Sequence, residues 1–409
     1  MRILQLCKKF PYPLKDGEAI AIHNLTKAFY QLGHEVTVLA INTKKHFYDR
    51  ASKKLPQEFE ETADYYDVYV DTDIKIKNAL FNLFTKNSFN IKRFESKAYQ
   101  YKLVELLEER DFDFIQLEGV YLAPYLDTIR AHSKAPVAMR AHNVEFTIWA
   151  SLAKGEKNKL RRGYLNLLAR RLKLFEIKQL NAYDAIVPIT QRDAEHFRLL
   201  GSTLPMFVSP TGIDPQRLVR SPSKRQFPSV FHIGSLDWLP NQEGILWFLD
   251  NVWSKVAEQH PGIKFYVAGR NMSSRFAQLT YPNLEILGEV EDAVEFMNQN
   301  TIMVVPLRSG SGMRIKIIEA LALGKTVIST TVGAEGIGAK AGKEILLADD
   351  AKAFYQQLDK CLNDRLYCEK IGNQAFDFAH CQFNNIQIAQ RLIEFYSKVA
   401  CHTNSTNQV

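Results

Sequence analysis

Residues Thr301–Thr330 read TIMVVPLRSGSGMRIKIIEALALGKTVIST. An apolar run leads into a turn with two glycines, then an apolar segment of helical character, then Gly324, then a second β-branched run. Strand, turn, helix and strand in that order make parallel strands, and a parallel sheet needs helices over both faces. Gly324 fits a helix C-cap, because glycine alone closes a helix in the left-handed conformation without penalty.

The same thirty residues carry a chemical signal. A glycine turn that opens a helix exposes backbone N–H groups, and the helix N-terminus adds a partial positive charge, so the junction suits an anion. Arg314 and Lys316 deepen the positive potential. Glu319 repels phosphate but suits the hydroxyls of a ribose, and together these residues point to a nucleotide held by its phosphates and its sugar. The plain alternatives are that Gly310 and Gly312 only turn the chain, and that Glu319 pairs with Lys316 three residues earlier on the same helix face. Two familiar motifs do not apply. Ile315 stands where a G-x-G-x-x-G fingerprint needs its third glycine, and Gly324-Lys325-Thr326 precedes a strand, whereas a P-loop opens a helix.

Outward from this unit the alternation continues. MRILQLC, HEVTVLAI, FDFIQLEGV, APVAMRAHN and YDAIVPIT are separated by helical patterns, and a second series follows with MFVSPTGID, SVFHIGSL, IKFYVAGR, LEILG, TIMVVPL and TVISTT. Two such series predict an α/β protein of two doubly wound domains. The boundaries are 1–209 for the first domain, 210–385 for the second, and 386–409 for a terminal helix crossing back to the first, with a frayed tail. Ligands of such sheets sit at the carboxyl ends of strands. Gly17, His142, Gly234, Arg270, Gly310 and Gly312 all follow apolar runs in that way, which predicts a cleft between the two domains.

Composition sets limits. At 409 residues, 46% hydrophobic and 24% charged, the chain has ample material for cores. No apolar stretch approaches the ~20 residues of a membrane span, and ILQLC reads as a first strand, not as a secretory leader. The five cysteines form no C-x-x-C pair, which predicts a reduced, cytoplasmic protein without disulfides or structural zinc. The net charge of +7 fits an anionic substrate or a membrane surface, and no nucleic-acid signature accompanies it. The segment Ile76–Phe94, IKNALFNLFTKNSFNIKRF, mixes aromatic and basic residues as a lipid-surface helix does, and equally as an ordinary amphipathic helix does. Asp71 and Asp73 form a D-x-D pair, a weak metal signal, and no metal site is expected.

These motifs resemble those of a known family. PYPLKDGEAIAIHNLTKAFYQLGHEVTVLA resembles the N-terminal glycine loop and first helix of retaining glycosyltransferase family 4, the nucleotide-sugar-dependent enzymes of the GT-B fold. RAHNVEF resembles that family's active-site histidine segment, SPTGID its interdomain motif, and FHIGSLDWLPNQEGILWFLDNVW, FYVAGRN and PLRSGSGMRIKIIEALALGKTVISTTVGAEGI its nucleotide-binding half. The chain departs from the family at Ser311, which stands where members commonly carry the first glutamate of E-x7-E, with Glu319 as the second. It departs again in GSLDWLPN, which lacks the usual phosphate-binding Arg and Lys; both changes match a subgroup with G-x-G-x-R-x-K-x-x-E.

The resemblance implies two Rossmann-like domains facing a central cleft. It implies transfer of a sugar from a nucleotide-sugar co-substrate to a glycan or lipid-linked acceptor with retention, no cofactor and no metal. The catalytic set is then His142, Arg314, Lys316 and Glu319. Gly17, Gly234, Arg270, Gly310, Ser311, Gly312, Arg314, Lys316, Glu319 and Glu335 bind the donor. The partners are that donor and acceptor, with peripheral contact at the inner face of the membrane and no nucleic acid. A non-catalytic GT-B-like sugar-binding protein and an epimerase of the same fold are the rival readings.

Overall fold

The computed structural model describes residues 1–14, 16–73, 88–310 and 312–406. Ser311 and residues 76–87 of the basic aromatic segment lie outside the described residues.

The chain forms two compact units, Met1–Gly212 with Asn385–Val409, and Ile213–Asn384. The first holds a six-stranded parallel sheet of β1 (Arg2–Cys7), β2 (Glu35–Thr43), β3 (Asp64–Val70), β4 (Phe114–Glu118), β5 (Val137–Ala141) and β6 (Ala185–Pro188), ordered β3-β2-β1-β4-β5-β6. The second repeats the plan with β7 (Val230–Ile233), β8 (Phe265–Ala268), β9 (Leu284–Gly288), β10 (Ile302–Val305), β11 (Thr326–Ser329) and β12 (Leu346–Leu347), ordered β12-β11-β10-β7-β8-β9. Strand order reverses between β1 and β4 in one sheet and between β7 and β10 in the other. At those points adjacent connections leave in opposite directions and open a crevice beyond the strand ends.

Side chains alternate between the faces of each sheet, and both faces are buried. On β1, Leu4 and Leu6 enter one core while Ile3 and Cys7 enter the other. The second of these cores is closed by the first helix, Gly17–Gln31, and by the terminal helix, Asn385–Thr406. The first helix starts on Asp16, whose carboxylate accepts from the N–H groups of Glu18 and Ala19 at 3.1 and 3.0 Å. It ends at Gly33, whose φ of +79° favours glycine. The terminal helix stacks Tyr396 on Phe114 of β4 with ring centres 3.8 Å apart. In the second unit, Val304 and Ile328 face one core and Met303 and Val327 the other.

Several elements differ from the sequence reading. MFVSPTGID forms no regular strand: Met206 makes one bridge to Ile186, and Phe207 and Ser209 donate to the Ile186 and Pro188 carbonyls at 3.3 and 2.9 Å, but Pro188 has no N–H to return a bond, so the ladder does not continue. The chain leaves the first unit at Gly212, inside this motif. Conversely, DYYDVYV forms β3, a strand that its two aspartates disguise. In the described part of the basic aromatic segment, Phe89, Ile91 and Phe94 are buried in the core and present no lipid-facing surface. Among the described residues, no helix is long and apolar enough to cross a membrane.

Candidate active site

Four neighbouring strands of the second sheet, β11-β10-β7-β8, end beside one another, and every predicted residue of that unit except Ser311 lies on the loops or helix that follow them. After β10 the chain turns at Gly310 (φ +118°) and Gly312 (φ +87°), conformations that favour glycine. A Cβ at Gly310 would also lie 2.8 Å from the Trp238 ring and 2.8 Å from the Arg314 guanidinium. Arg314 stands at the cap of the helix Ile315–Ala322, lies 5.0 Å over the Trp238 ring and donates from Nη1 to the Gly312 carbonyl. Burial lowers its pKa to about 10, so the guanidinium stays charged at neutral pH.

Along that helix Lys316 Nζ donates to Glu319 Oε2 at 2.6 Å, with Glu319 buried and Lys316 about one-third exposed. The ion pair weighed in the sequence is therefore present, and it engages one carboxylate oxygen of Glu319. After β7, Gly234 passes so close to β8 that a Cβ on Gly269 would lie 1.9 Å from the Gly234 carbonyl oxygen. The turn is knitted by Ser235 Oγ donating to Asp237 at 2.6 Å and by Asn241 donating to the Ser235 carbonyl at 2.9 Å. Arg270 reaches this turn, with Nε 3.5 Å from Ser235 Oγ. Glu335 is half-buried in the turn after β11. Beneath Gly234 lies His232. Its Nδ1 is 2.9 Å from the Val304 carbonyl, and burial pulls its pKa down to about 4, so it is a neutral ring.

The corresponding edge of the first sheet, β1-β4-β5, is built from charges. His142 follows β5 and is buried, with Nε2 2.6 Å from Glu118 Oε2 at the end of β4. Parallel register sets Glu118 opposite Arg140, which donates to the same oxygen at 3.3 Å. Burial favours the neutral acid, yet Arg140 and then His142 hold the Glu118 carboxyl below its usual range. An ionised carboxylate only accepts, so Nε2 of His142 carries the proton. Glu118 Oε1 accepts from Gln116, and Gln116 accepts from Tyr396 of the terminal helix, each at 2.5 Å. A buried chain of bonds thus runs from Tyr396 to His142.

Around it, Lys8 lies 3.3 Å from Glu18 and 3.6 Å from Glu145, and Tyr121 donates to Glu145 at 2.9 Å. Burial would raise the Glu18 pKa, but Lys8 and Lys9 hold it at about 2. Gly17 is exposed at the start of the first helix, where the leading N–H groups are already capped by Asp16, itself bonded to Lys9 at 2.6 Å. Asp71 and Asp73 lie on a surface loop, with Asp73 2.8 Å from Lys44. Among the described residues, no group of three or more His, Cys, Asp or Glu side chains is placed to hold a metal ion.

The sequence reading does not single out Trp238, Glu118 or Tyr121, which the fold brings to these two sheet edges. Glu118 has a visible signal, a carboxylate with Gln116 in the buried strand FIQLE, whereas Trp238 has none apart from its place after a glycine turn.

Residues 16–217 match the sequence profile described as Glycosyltransferase Family 4, and residues 227–364 match that described as Glycosyl transferases group 1. A Klebsiella pneumoniae protein described as "Uncharacterized 44.6 kDa protein in cps region" is 22% identical over 401 residues, covering 95% of this chain and 97% of its own. Among solved structures, Anabaena HepE in complex with UDP superposes with a TM-score of 0.69 at 15% identity, over 97% of this chain and 100% of that one. Sucrose-phosphate synthase from Thermosynechococcus elongatus gives 0.70 at 15% identity over 98% and 100%. Both support the GT-B architecture.

Proposed function

Because this chain belongs to the family-4 glycosyltransferases, we propose that it moves a sugar from a nucleotide-sugar donor to a hydroxyl of a glycan or lipid-linked saccharide, with retention at the anomeric carbon. The observation that carries the reading is the turn Gly310–Gly312 with Arg314 at the helix start. The same fold in HepE has been captured with UDP and with UDP-glucose, which supports a nucleotide-sugar donor here.

In this reading the backbone N–H groups of the Gly310–Gly312 turn, with Arg270, bind the diphosphate, and Gly234, whose own N–H donates to the Ala268 carbonyl at 3.2 Å, leaves room for the donor beside them. Arg314 and Lys316 offset the charge that develops on it as the glycosidic bond breaks. Glu319 accepts from the ribose hydroxyls and Glu335 contacts the transferred sugar. His142, its Nε2 committed to Glu118, offers Nδ1 to a sugar hydroxyl, and Gly17 leaves room for sugar or acceptor. Positive side chains and N–H groups do here what a divalent cation does elsewhere, so the reaction needs no metal and no cofactor. The enzyme works in the cytoplasm, peripheral to the inner face of the membrane.

The test is a screen of nucleotide sugars for hydrolysis and for protection against thermal unfolding, since a ligand that binds only the native state raises Tm. One donor class should raise Tm and be turned over, and product NMR should show the anomeric configuration retained. A chain that no nucleotide sugar protects, and that hydrolyses none, is not such an enzyme.

A further inference from the structure

The net charge is unevenly placed. Residues 145–179 hold nine Lys and Arg against Glu145, Glu156 and Glu176, a net +6 in a protein whose 409 residues sum to +7. These residues form a helical hairpin, Glu145–Gly155 and Lys159–Gln179. Its acids are turned away from water or paired. Glu145 and Glu176 are buried, Glu176 accepting from the N–H groups of Glu145 and Phe146 at 3.1 and 2.8 Å, and Glu156 pairs with Arg161 at 3.2 Å. Of the nine cations, eight are exposed and Arg171 is half-buried.

Large apolar side chains stand among those cations. Leu160 is 87% exposed, Leu174 60% and Leu152 54%. Leu160, Leu167 and Leu174 recur every seventh residue and so share one side of the longer helix. That side lies opposite the one that buries Leu168, Leu172 and Glu176. An ordinary solvated helix would show polar residues there.

We propose that this hairpin is the surface by which the enzyme lies on an anionic lipid bilayer. The proposal rests on the peripheral-membrane reading above and gives it a location. Anionic headgroups match the cations, and the leucines between them enter the headgroup–acyl boundary, as the apolar side of an interfacial helix does. A second copy of the chain would bring the same +6 surface and be repelled. Nucleic acid matches the charge but gives the leucines nothing to bury against. A helix of 21 residues lying flat covers about 30 Å of membrane surface.

The test uses the full-length protein and sedimentation with vesicles, either pure phosphatidylcholine or phosphatidylcholine mixed with phosphatidylglycerol. Wild type should bind the anionic vesicles, and binding should weaken as salt rises. The quadruple variant Arg161→Glu, Arg162→Glu, Arg170→Glu, Lys173→Glu should lose at least about 100-fold in affinity. Leu160→Gln with Leu174→Gln should lose about tenfold, most visibly at high salt, where charge is screened. Unchanged thermal unfolding and nucleoside diphosphate binding would show that the variants are folded. A charge-reversal variant that binds anionic vesicles as tightly as wild type would overturn this surface while sparing the membrane reading. Wild type that ignores anionic vesicles would overturn both. Tighter binding to single-stranded RNA than to vesicles, insensitive to the leucine changes, would replace the membrane by a nucleic acid.

Discussion

The two sheets share a topology and differ in what they place at the switch point. At β1/β4 the edge is filled by charges that satisfy one another: Glu118 holds Arg140 and His142, and Lys8 holds Glu18 and Glu145. At β7/β10 the edge is mostly backbone, with glycines at 234, 310 and 312 and Arg270 and Arg314 reaching over the turns. An edge of paired charges is pre-organised and keeps its shape without a ligand, whereas a glycine turn that opens a helix has leading N–H groups to offer one. The equivalent switch point of each sheet thus takes a different form, fixing a histidine in the first unit and, in the proposed reading, receiving an anion in the second.

That contrast breaks most sharply at Arg314. Arg314→Ala should lower kcat by roughly 10- to 1000-fold, the range of an oxyanion-type contact, with Lys316→Ala nearer the lower end because Lys316 is partly engaged by Glu319. Steady-state turnover of each variant and of the pair is the measurement. Unchanged kcat in all three would take both residues out of the chemistry.

On the opposite edge the cost should fall on stability. Glu118→Gln leaves Arg140 as a buried cation without its counter-charge, a loss of about 3 kcal/mol by denaturant unfolding at neutral pH. The sign with pH follows from the depressed carboxyl pKa in the folded state. The contribution is complete above the unfolded value of about 4.3 and is lost as pH falls through the folded one, so wild type and variant should converge in acid. A constant difference down to acid pH would mean that packing, not charge, is at stake.

Glu319→Gln should act on binding alone, weakening a nucleoside diphosphate by about 10- to 100-fold while hardly changing its 2′,3′-dideoxy analogue. Equal losses for the two ligands would make Glu319 only the partner of Lys316. The smallest expected effect is none: EDTA should leave turnover intact, and strict dependence on Mn²⁺ or Mg²⁺ would shift weight to Asp71 and Asp73.

Much of this was legible in the sequence, for a local reason. Parallel strands buried on both faces read as apolar runs, and a glycine turn before a helix is written in adjacent residues, so Gly310, Gly312 and Arg314 could be named without coordinates. What stayed hidden depends on register. Glu118 gains its meaning from Arg140, brought opposite it by β4–β5 pairing, and from Tyr396, 280 residues beyond Gln116. Trp238 matters because a ring sits against Gly310, a contact between loops after different strands. Two strands are misjudged for the same reason: the run at Met206 and Phe207 pairs with β6 but meets Pro188, which cannot return a bond, and DYYDVYV, a strand with two aspartates, is missing from the runs named in the sequence.

The terminal helix has a consequence for biosynthesis. The chain leaves the first unit at Gly212 and returns at Asn385, so the second unit is an insertion between the body of the first and its last helix. At the junction the chain's two passages run side by side, with Ile213 donating to the Phe383 carbonyl at 2.7 Å and Asn385 donating to that of Asn24 at 3.2 Å. A nascent chain therefore emerges with Phe114 and Gln116 lacking their cover. The inserted unit, complete at Asn384, can fold while the earlier one waits for Leu392 and Tyr396 to clear the ribosome, a reversal of the usual N-terminal-first order. A stop codon between Asn385 and Tyr396 would thus damage the oldest part of the polypeptide, not its newest.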